Sequence, residues 1–280
     1  MTLNDIYHAI DPVALSLGPL QIRWYGLAYV AGFICAFLVI AKLSQRWKIR
    51  INDDAFFTVV FCVIFGVILG GRLGYVLVYG DGYYLQHPEK ILAFNEGGMS
   101  FHGGLVGVII GGVIAAKITK IPFLTLADMG VVGVPIGLFF GRCANFINGE
   151  LWGAPTDMPW GVVFGGAAGT MPRHPSQLYE ALLEGVVLFI ILFALSRKTP
   201  ARPRGTFFGT FLLFYGLFRF TIEFIRQPDA QIGYLLGTHW FTMGQALSIP
   251  LMVAGVVFLI YAWKTKKPQM GIPDSEISQP

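Results

Sequence analysis

Charge is what this chain has least of. Asp, Glu, Lys and Arg make up 13% of its 280 residues, about half the share usual in soluble domains. Cysteine is scarce too. Cys35, Cys62 and Cys143 are odd in number and widely spaced, which excludes a disulfide framework and a paired zinc-ligand spacing. No HExxH, GxxxxGK[ST] or GxSxG occurs, so zinc-protease, phosphate-cradling and serine-hydrolase readings have no support. No metal and no cofactor are expected. The net charge of +4 does not suggest nucleic-acid binding, because the basic residues sit in short loops. Residues 1–23 carry Asp5, Asp11 and Pro12 and lack a basic start before an apolar run, so no cleavable signal is expected.

What the chain has is apolar bulk: 55% hydrophobic residues, 24 Phe and 35 Gly. That pairing suits membrane helices, where glycine permits close helix contact. Seven apolar stretches, at about 24–43, 55–79, 97–118, 122–141, 176–196, 206–226 and 240–263, each approach the ~20 residues needed to span a bilayer. The expectation is an all-α integral membrane protein with about seven transmembrane helices in one polytopic domain, residues 1–267. The tail 268–280 reads as polar and disordered.

Lys42, Arg46, Lys48, Arg50, Lys117, Lys120, Arg197, Lys198, Arg202, Arg204, Lys264, Lys266 and Lys267 fall on one side of that seven-span arrangement. The positive-inside rule makes it the cytoplasmic side. The N-terminus is then outside and the C-terminus cytoplasmic. The longest loop, 142–175, is then outside, and its 154–173 stretch reads as a small extracytoplasmic cap.

The topology sorts the unusual polar residues by depth. Arg72, His102, Arg142, His174, Gln177, Tyr179, Glu180 and Arg219 all fall in the outer half, and Asp128 is the exception. A charge in hydrocarbon costs ~2.5–3.5 kcal/mol on insertion scales, so several at one depth need a reason. In the sixth stretch Tyr215, Arg219 and Glu223 recur every four residues and Arg226 follows, placing all four on one stripe. Arg219 with Glu223 reads as a structural ion pair, as a polar wall facing a cavity, or as both. Arg72 reads as a structural partner for a carboxylate. Gly70-Gly71 and Gly103-Gly104 read as close-packing positions. Tyr25 belongs to an interfacial belt or lines a site.

The densest polar group is GRCANFINGELWG at 141–153. Arg142, two carboxamides (Asn145 and Asn148) and Glu150 lie among glycines just as an apolar run ends. Arginine's planar fork binds phosphate bidentately and keeps its charge in low dielectric. Phospholipid headgroups are the abundant phosphate at that depth. Asn145 and Asn148 can read hydroxyls, and His102 is a candidate base near neutral pH.

These residues resemble a known family, the bacterial prolipoprotein diacylglyceryl transferases. Residues 141–153 match its motif G-R-x-[GA]-N-F-x-N-x-E-x-x-G at every fixed position, with Ala144 the less usual small residue. IRWYGL at 22–27, SFHGGLVG at 100–107, HPSQLYEA at 174–181 and RFTIEFIRQPD at 219–229 follow the same pattern in order.

The resemblance implies transfer of the diacylglyceryl group of phosphatidylglycerol to the thiol of a prolipoprotein's lipobox cysteine, with release of glycerol phosphate. The partners implied are that lipid, the signal peptide carrying the lipobox, and the membrane. The expected location is the bacterial plasma (inner) membrane, with the site facing the outer leaflet. In this reading Arg142 and Arg219 hold the phosphate and His102 takes the thiol proton. Glu150 and Glu223 orient the arginines or the histidine. Tyr25, Asn145 and Tyr215 support the headgroup, and Gly153 is a backbone requirement. Nothing in the sequence requires a second subunit, so a monomer is expected. The alternative from another class is a multi-span transporter of an organic anion, which would distribute its charges across the membrane. A receptor-like protein would not need arginines at matching depths.

Overall fold

The computed structural model describes residues 2–18, 20–80, 82–94, 97–228 and 233–273. The chain folds into two units, one from 1–43 and 128–268, the other from 44–127 and 269–280. Of the tail expected to be disordered, residues 274–280 lie outside the described residues.

In chain order the elements are α1 (Leu3–Ala9), β1 (Val13–Leu17), β2 (Leu20–Arg23), α2 (Trp24–Trp47), α3 (Asp53–Tyr79), α4 (Tyr83–Gln86), α5 (Phe101–Thr119) and α6 (Phe123–Asn148). Then come α7 (Ser176–Ser196), α8 (Thr206–Ile222) and α9 (Met243–Thr265). Six of these, α2, α3, α5, α6, α7 and α9, are long and apolar enough to cross a membrane. The sixth stretch read from the sequence forms α8, a shorter apolar helix of 17 residues that stops at Ile222 rather than 226. The all-α expectation needs one amendment. β1 and β2 pair antiparallel, with Leu15 paired to Ile22 and Ser16 to Gln21.

Local chemistry sets the helix ends. Asn52 accepts from Ala55 N at 2.9 Å to open α3, and Asp53 and Asp54 occupy the first turn, where acid complements exposed N–H groups. Thr242 and Gln245 form a reciprocal capping box on α9. α8 opens on Gly205, which has no side chain to cap it. Asp128 of α6 supplies the cap from elsewhere: Gly205 N and Phe208 N each donate to its carboxylate at 2.7 Å. The intramembrane acid that broke the depth pattern is therefore a buried helix cap reached through tertiary folding.

The smaller unit is held by glycines. Gly66, Gly70 and Gly74 of α3 face Gly103 and Gly107 of α5, both sets spaced every four residues, and Gly111 continues the α5 row against Cys62. A Cβ on Gly70 would press on Gly103 O and Gly107 Cα, and one on Gly103 on Gly70 O and Gly74 Cα. Helices this close gain van der Waals contact that lipid cannot replace. Arg72, on the same helix, is 1% exposed. It donates to Ile91 O at 2.8 Å, Lys90 O at 2.7 Å, Gly98 O at 3.2 Å and Gly97 O. The carboxylate partner expected for it is replaced, among the described residues, by four carbonyls.

The larger unit contains a small separate core after α6. Phe146, Val162, Phe164 and Ala168 are buried together, with Leu3, Tyr7, Trp152 and Leu178 packed on them. Tyr7 meets Phe146 and Phe164 edge-on, with centroids 5.4 and 5.0 Å apart. Val163 N donates to Asn4 Oδ1 at 2.9 Å. The N-terminal helix thus fastens the 149–175 segment.

Candidate functional site

Three helices of the larger unit supply one charged cluster. α6 runs on to Asn148, so Arg142, Asn145 and Asn148 stand on its last two turns rather than in the loop expected from residue 142. α7 supplies Glu180 and Glu184, both 0% exposed. Between them the helix widens into a π-helical stretch, Ala181–Val187, an irregularity common at functional sites. Gly185 in that stretch lies against Phe139 of α6, where a Cβ would meet the Phe139 Cβ at 2.7 Å. α8 and the turn after it supply Arg219, Glu223 and Arg226.

The ion pairs converge on Glu180. Arg142 Nε lies 2.5 Å from Glu180 Oε2, as an ion pair without an aligned hydrogen bond. Arg219 Nη1 donates to Glu180 Oε1 at 3.1 Å, and Arg226 Nη1 is 3.5 Å from the same oxygen. Arg219 also pairs with Glu223. Arg226 Nε is 3.9 Å from that carboxylate, and Thr242 Oγ1 donates to its other oxygen at 2.5 Å. Among the described residues Glu184 is ion-paired with Arg142 Nη2 alone, at 3.7 Å. The Arg142 and Arg219 side chains keep 16% exposure while Glu180 has none. The arginines therefore form the outer surface of the cluster and the acids its floor.

Glu150 is placed differently from the sequence expectation. Its carboxylate accepts from Asn145 Nδ2 at 3.4 Å and Asn148 Nδ2 at 3.2 Å. Its main-chain oxygen accepts from Gln177 Nε2 at 2.6 Å. The carboxylates that meet Arg142 are Glu180 and Glu184, and Glu150 instead orders the two asparagines. Gly153 is buried. Its N–H donates to His174 O at 2.9 Å, and a Cβ there would meet His174 Cβ and Ile225 O at 2.7 Å. Only glycine lets the segment after α6 lie against the turn that carries Arg226.

Tyr215 sits one turn before Arg219, its ring stacked on Phe211 with centroids 5.5 Å apart. Tyr25 is half-buried in the first turn of α2. His102 belongs to the smaller unit, exposed in the first turn of α5, behind the Ser100 cap. The structure brings Arg142, Arg219 and Glu223 together through Glu180, and places Asn145 with Glu150.

Sequence reasoning left Glu184 out and gave Glu180 no role. The visible signal was two acids four residues apart in YEALLE, within an otherwise apolar helix. It also missed a polar relay under the cap. Trp160 Nε1 donates to Tyr179 Oη at 2.6 Å, and His174 Nδ1 lies 3.2 Å from the same oxygen. Partial burial holds the His174 imidazolium below its ordinary pKa of 6.5. Among the described residues no group of three His, Cys, Asp or Glu could hold a metal ion.

Chemically the cluster can clamp an oxyanion between forked cations. The family model described as prolipoprotein diacylglyceryl transferase matches residues 12–261. A phosphatidylglycerol–prolipoprotein diacylglyceryl transferase of Geobacter sulfurreducens is 52% identical over 257 residues, covering 92% of this chain and 97% of its own. One from Nitratidesulfovibrio vulgaris is 49% identical over 254 residues, covering 89% and 94%. One from Rhodopseudomonas palustris is 46% identical over 279 residues, covering 96% of each chain.

Proposed function

The chain belongs to the prolipoprotein diacylglyceryl transferase family, and from that premise we propose how its cluster serves the reaction. The protein is a multi-pass membrane transferase. It moves the diacylglyceryl group of phosphatidylglycerol to the cysteine thiol of a prolipoprotein. A C–O bond between the lipid's glycerol carbon and its phosphate breaks, a C–S bond forms, and glycerol phosphate leaves. The thiol proton must be taken up as the thioether forms.

The observation that carries the assignment of roles is the sharing of Glu180 by three arginines. Arginines that share one carboxylate can turn a fork toward an arriving phosphate without leaving any group unpaired. Arg142 and Arg219, the more exposed two, bind the phosphate and oppose the charge that grows as the C–O bond breaks. Glu223 fixes Arg219, and Thr242 fixes Glu223. Asn145 and Tyr215 support the headgroup, with Glu150 setting Asn145, and Tyr25 is assigned the same supporting role. His102 takes the thiol proton, since a free thiol has pKa ~8.5 and needs a base or nearby cations at neutral pH.

The same reading orients the protein. α8, at about 26 Å by helical rise, spans most of a ~30 Å core and makes a seventh crossing. The N-terminus is outside and the C-terminus cytoplasmic. The cluster then faces the outer leaflet of the bacterial plasma membrane, where the lipobox of the signal peptide is presented. The protein acts as a monomer.

Purified protein with phosphatidylglycerol and a lipobox peptide tests the whole. The expected result is a peptide mass increase of one diacylglyceryl group with stoichiometric glycerol phosphate. Unmodified peptide, together with anion uptake into liposomes carrying the protein, would return the transporter reading.

A further inference from the structure

The three acids of the cluster are not equivalent. Glu180 has three cations within 3.5 Å. Glu223 has Arg219, Arg226 and the Thr242 hydroxyl. Glu184 is 0% exposed, and neither of its oxygens accepts a hydrogen bond among the described residues. Its one cation, Arg142 Nη2 at 3.7 Å, belongs to a guanidinium already 2.5 Å from Glu180. Glu180, one turn earlier on the same helix, adds a like charge. The groups facing it from α8 and the turn beyond are Tyr215, Arg219 and Arg226, and the two arginines are engaged with Glu180 and Glu223.

An ionised carboxylate with no donor in a dry interior is among the costliest arrangements in a protein. A neutral carboxylic acid in the same place costs far less. We infer that Glu184 carries its proton in the resting protein, leaving the Arg142–Arg219–Arg226 cluster with one uncompensated positive charge that selects a monoanionic phosphodiester headgroup.

The charge count gives the inference its use. With Glu180 and Glu223 ionised and Glu184 neutral, three arginines face two carboxylates. One negative headgroup completes neutrality. A zwitterionic headgroup brings its own cation and leaves the excess in place, so the cluster discriminates by charge before any hydroxyl is read. A third ionised acid would remove this excess and weaken the hold on phosphate. Glu184 is thus a positioning residue. It acts through Arg142 and need not touch the lipid. This inference rests on the transferase reading for its substrate, but its protonation state can be measured without one.

Infrared difference spectroscopy of detergent-solubilised protein, without lipid or peptide, compares wild type with Glu184→Gln. The expected difference is one protonated carboxylic-acid carbonyl band present in wild type and absent in the variant. A difference confined to ionised-carboxylate bands overturns the inference. If Glu184→Gln does not fold, Glu184→Asp should keep an acid carbonyl band at shifted frequency; its absence from both proteins would also overturn the inference. With substrates, Glu184→Gln keeps the cluster's one excess positive charge, so its discrimination between phosphatidylglycerol and a zwitterionic phospholipid should stay within about threefold of wild type. A fall in KM for phosphatidylglycerol of more than about tenfold in folded variant would show that the ionised form is the working one, because the substitution would then create the excess positive charge. Failure of the spectroscopic result leaves transfer intact, and failure of transfer leaves the spectroscopic result readable.

Discussion

Two buried arginines on apolar helices meet opposite fates. Arg72 in the smaller unit is 1% exposed and spends its guanidinium on four main-chain carbonyls, with Tyr75 and Tyr84 rings 5.9 and 5.4 Å from its centre. Arg219 in the larger unit keeps 16% side-chain exposure and shares two carboxylates with its neighbours. Carbonyls are neutral acceptors fixed in the backbone, so an arginine held by them cannot exchange partners without opening the chain. Carboxylates shared among three arginines can be redistributed when a further anion arrives. The first arrangement holds a segment in place, and the second can exchange its partners. Intramembrane charge by itself does not distinguish them; the chemistry of the partners does.

The strongest test of the contrast removes one cluster cation. Arg219→Ala or Arg142→Ala should lower single-turnover transfer by about 10²–10³-fold, the range for removing one preorganised stabiliser of developing charge. Turnover within a few-fold of wild type in either variant would break the comparison. Arg72→Leu should act the other way. Stranding buried carbonyls costs about 1–3 kcal/mol each where water cannot reach them, so thermal stability should fall by ~3 kcal/mol or more. The fraction still folded should keep its affinity for phosphatidylglycerol. If Arg72→Lys kept its melting temperature yet lost lipid affinity, Arg72 would belong with the ligand-binding arginines.

Smaller effects sharpen the picture. Asp128→Asn keeps one acceptor oxygen of the cap on α8 but turns its NH2 toward the other N–H and loses its charge against the helix N-terminus. It should cost about 2 kcal/mol in chemical denaturation, with transfer changed little. The smallest effect concerns His174. Its folded pKa lies below the unfolded 6.5 because partial burial disfavours the imidazolium. The unfolded chain then binds more protons, so stability falls as pH drops through 6.5 and levels off below the folded pKa. In His174→Gln this acid-side slope should flatten by the share of one titrating group, read as melting temperature across that interval. An unchanged slope would remove His174 as its source.

Most of the helical frame was legible because apolar runs of bilayer length announce themselves. Gly70 and Gly103 were legible as close-packing positions, and the structure extends that contact to Gly66, Gly74 and Gly107. The match of 141–153 to the family motif led to the right chemistry before any coordinates. Three features were not legible. The β1–β2 strand pair has no strong alternation to mark it. α6 continues through Asn148, although the polar residues Arg142 and Asn145 resemble a helix exit, because Glu180 and Glu150 satisfy them within the fold. Glu184 lay hidden in YEALLE, where an acid between apolar residues does not say which arginine of a neighbouring helix it faces.

The sequence by itself determined the class of the protein, the span of most helices, the family and the arginines at stake. Hydrophobic length, charge scarcity and motif spacing are one-dimensional quantities, and a chain displays them directly. Only the tertiary structure decided which acid meets which arginine, that Asp128 caps α8 and that Arg72 is held by carbonyls. Each of these depends on helices distant in sequence being brought side by side. The energy of a buried charge is set by its few nearest neighbours, and folding alone decides who they are.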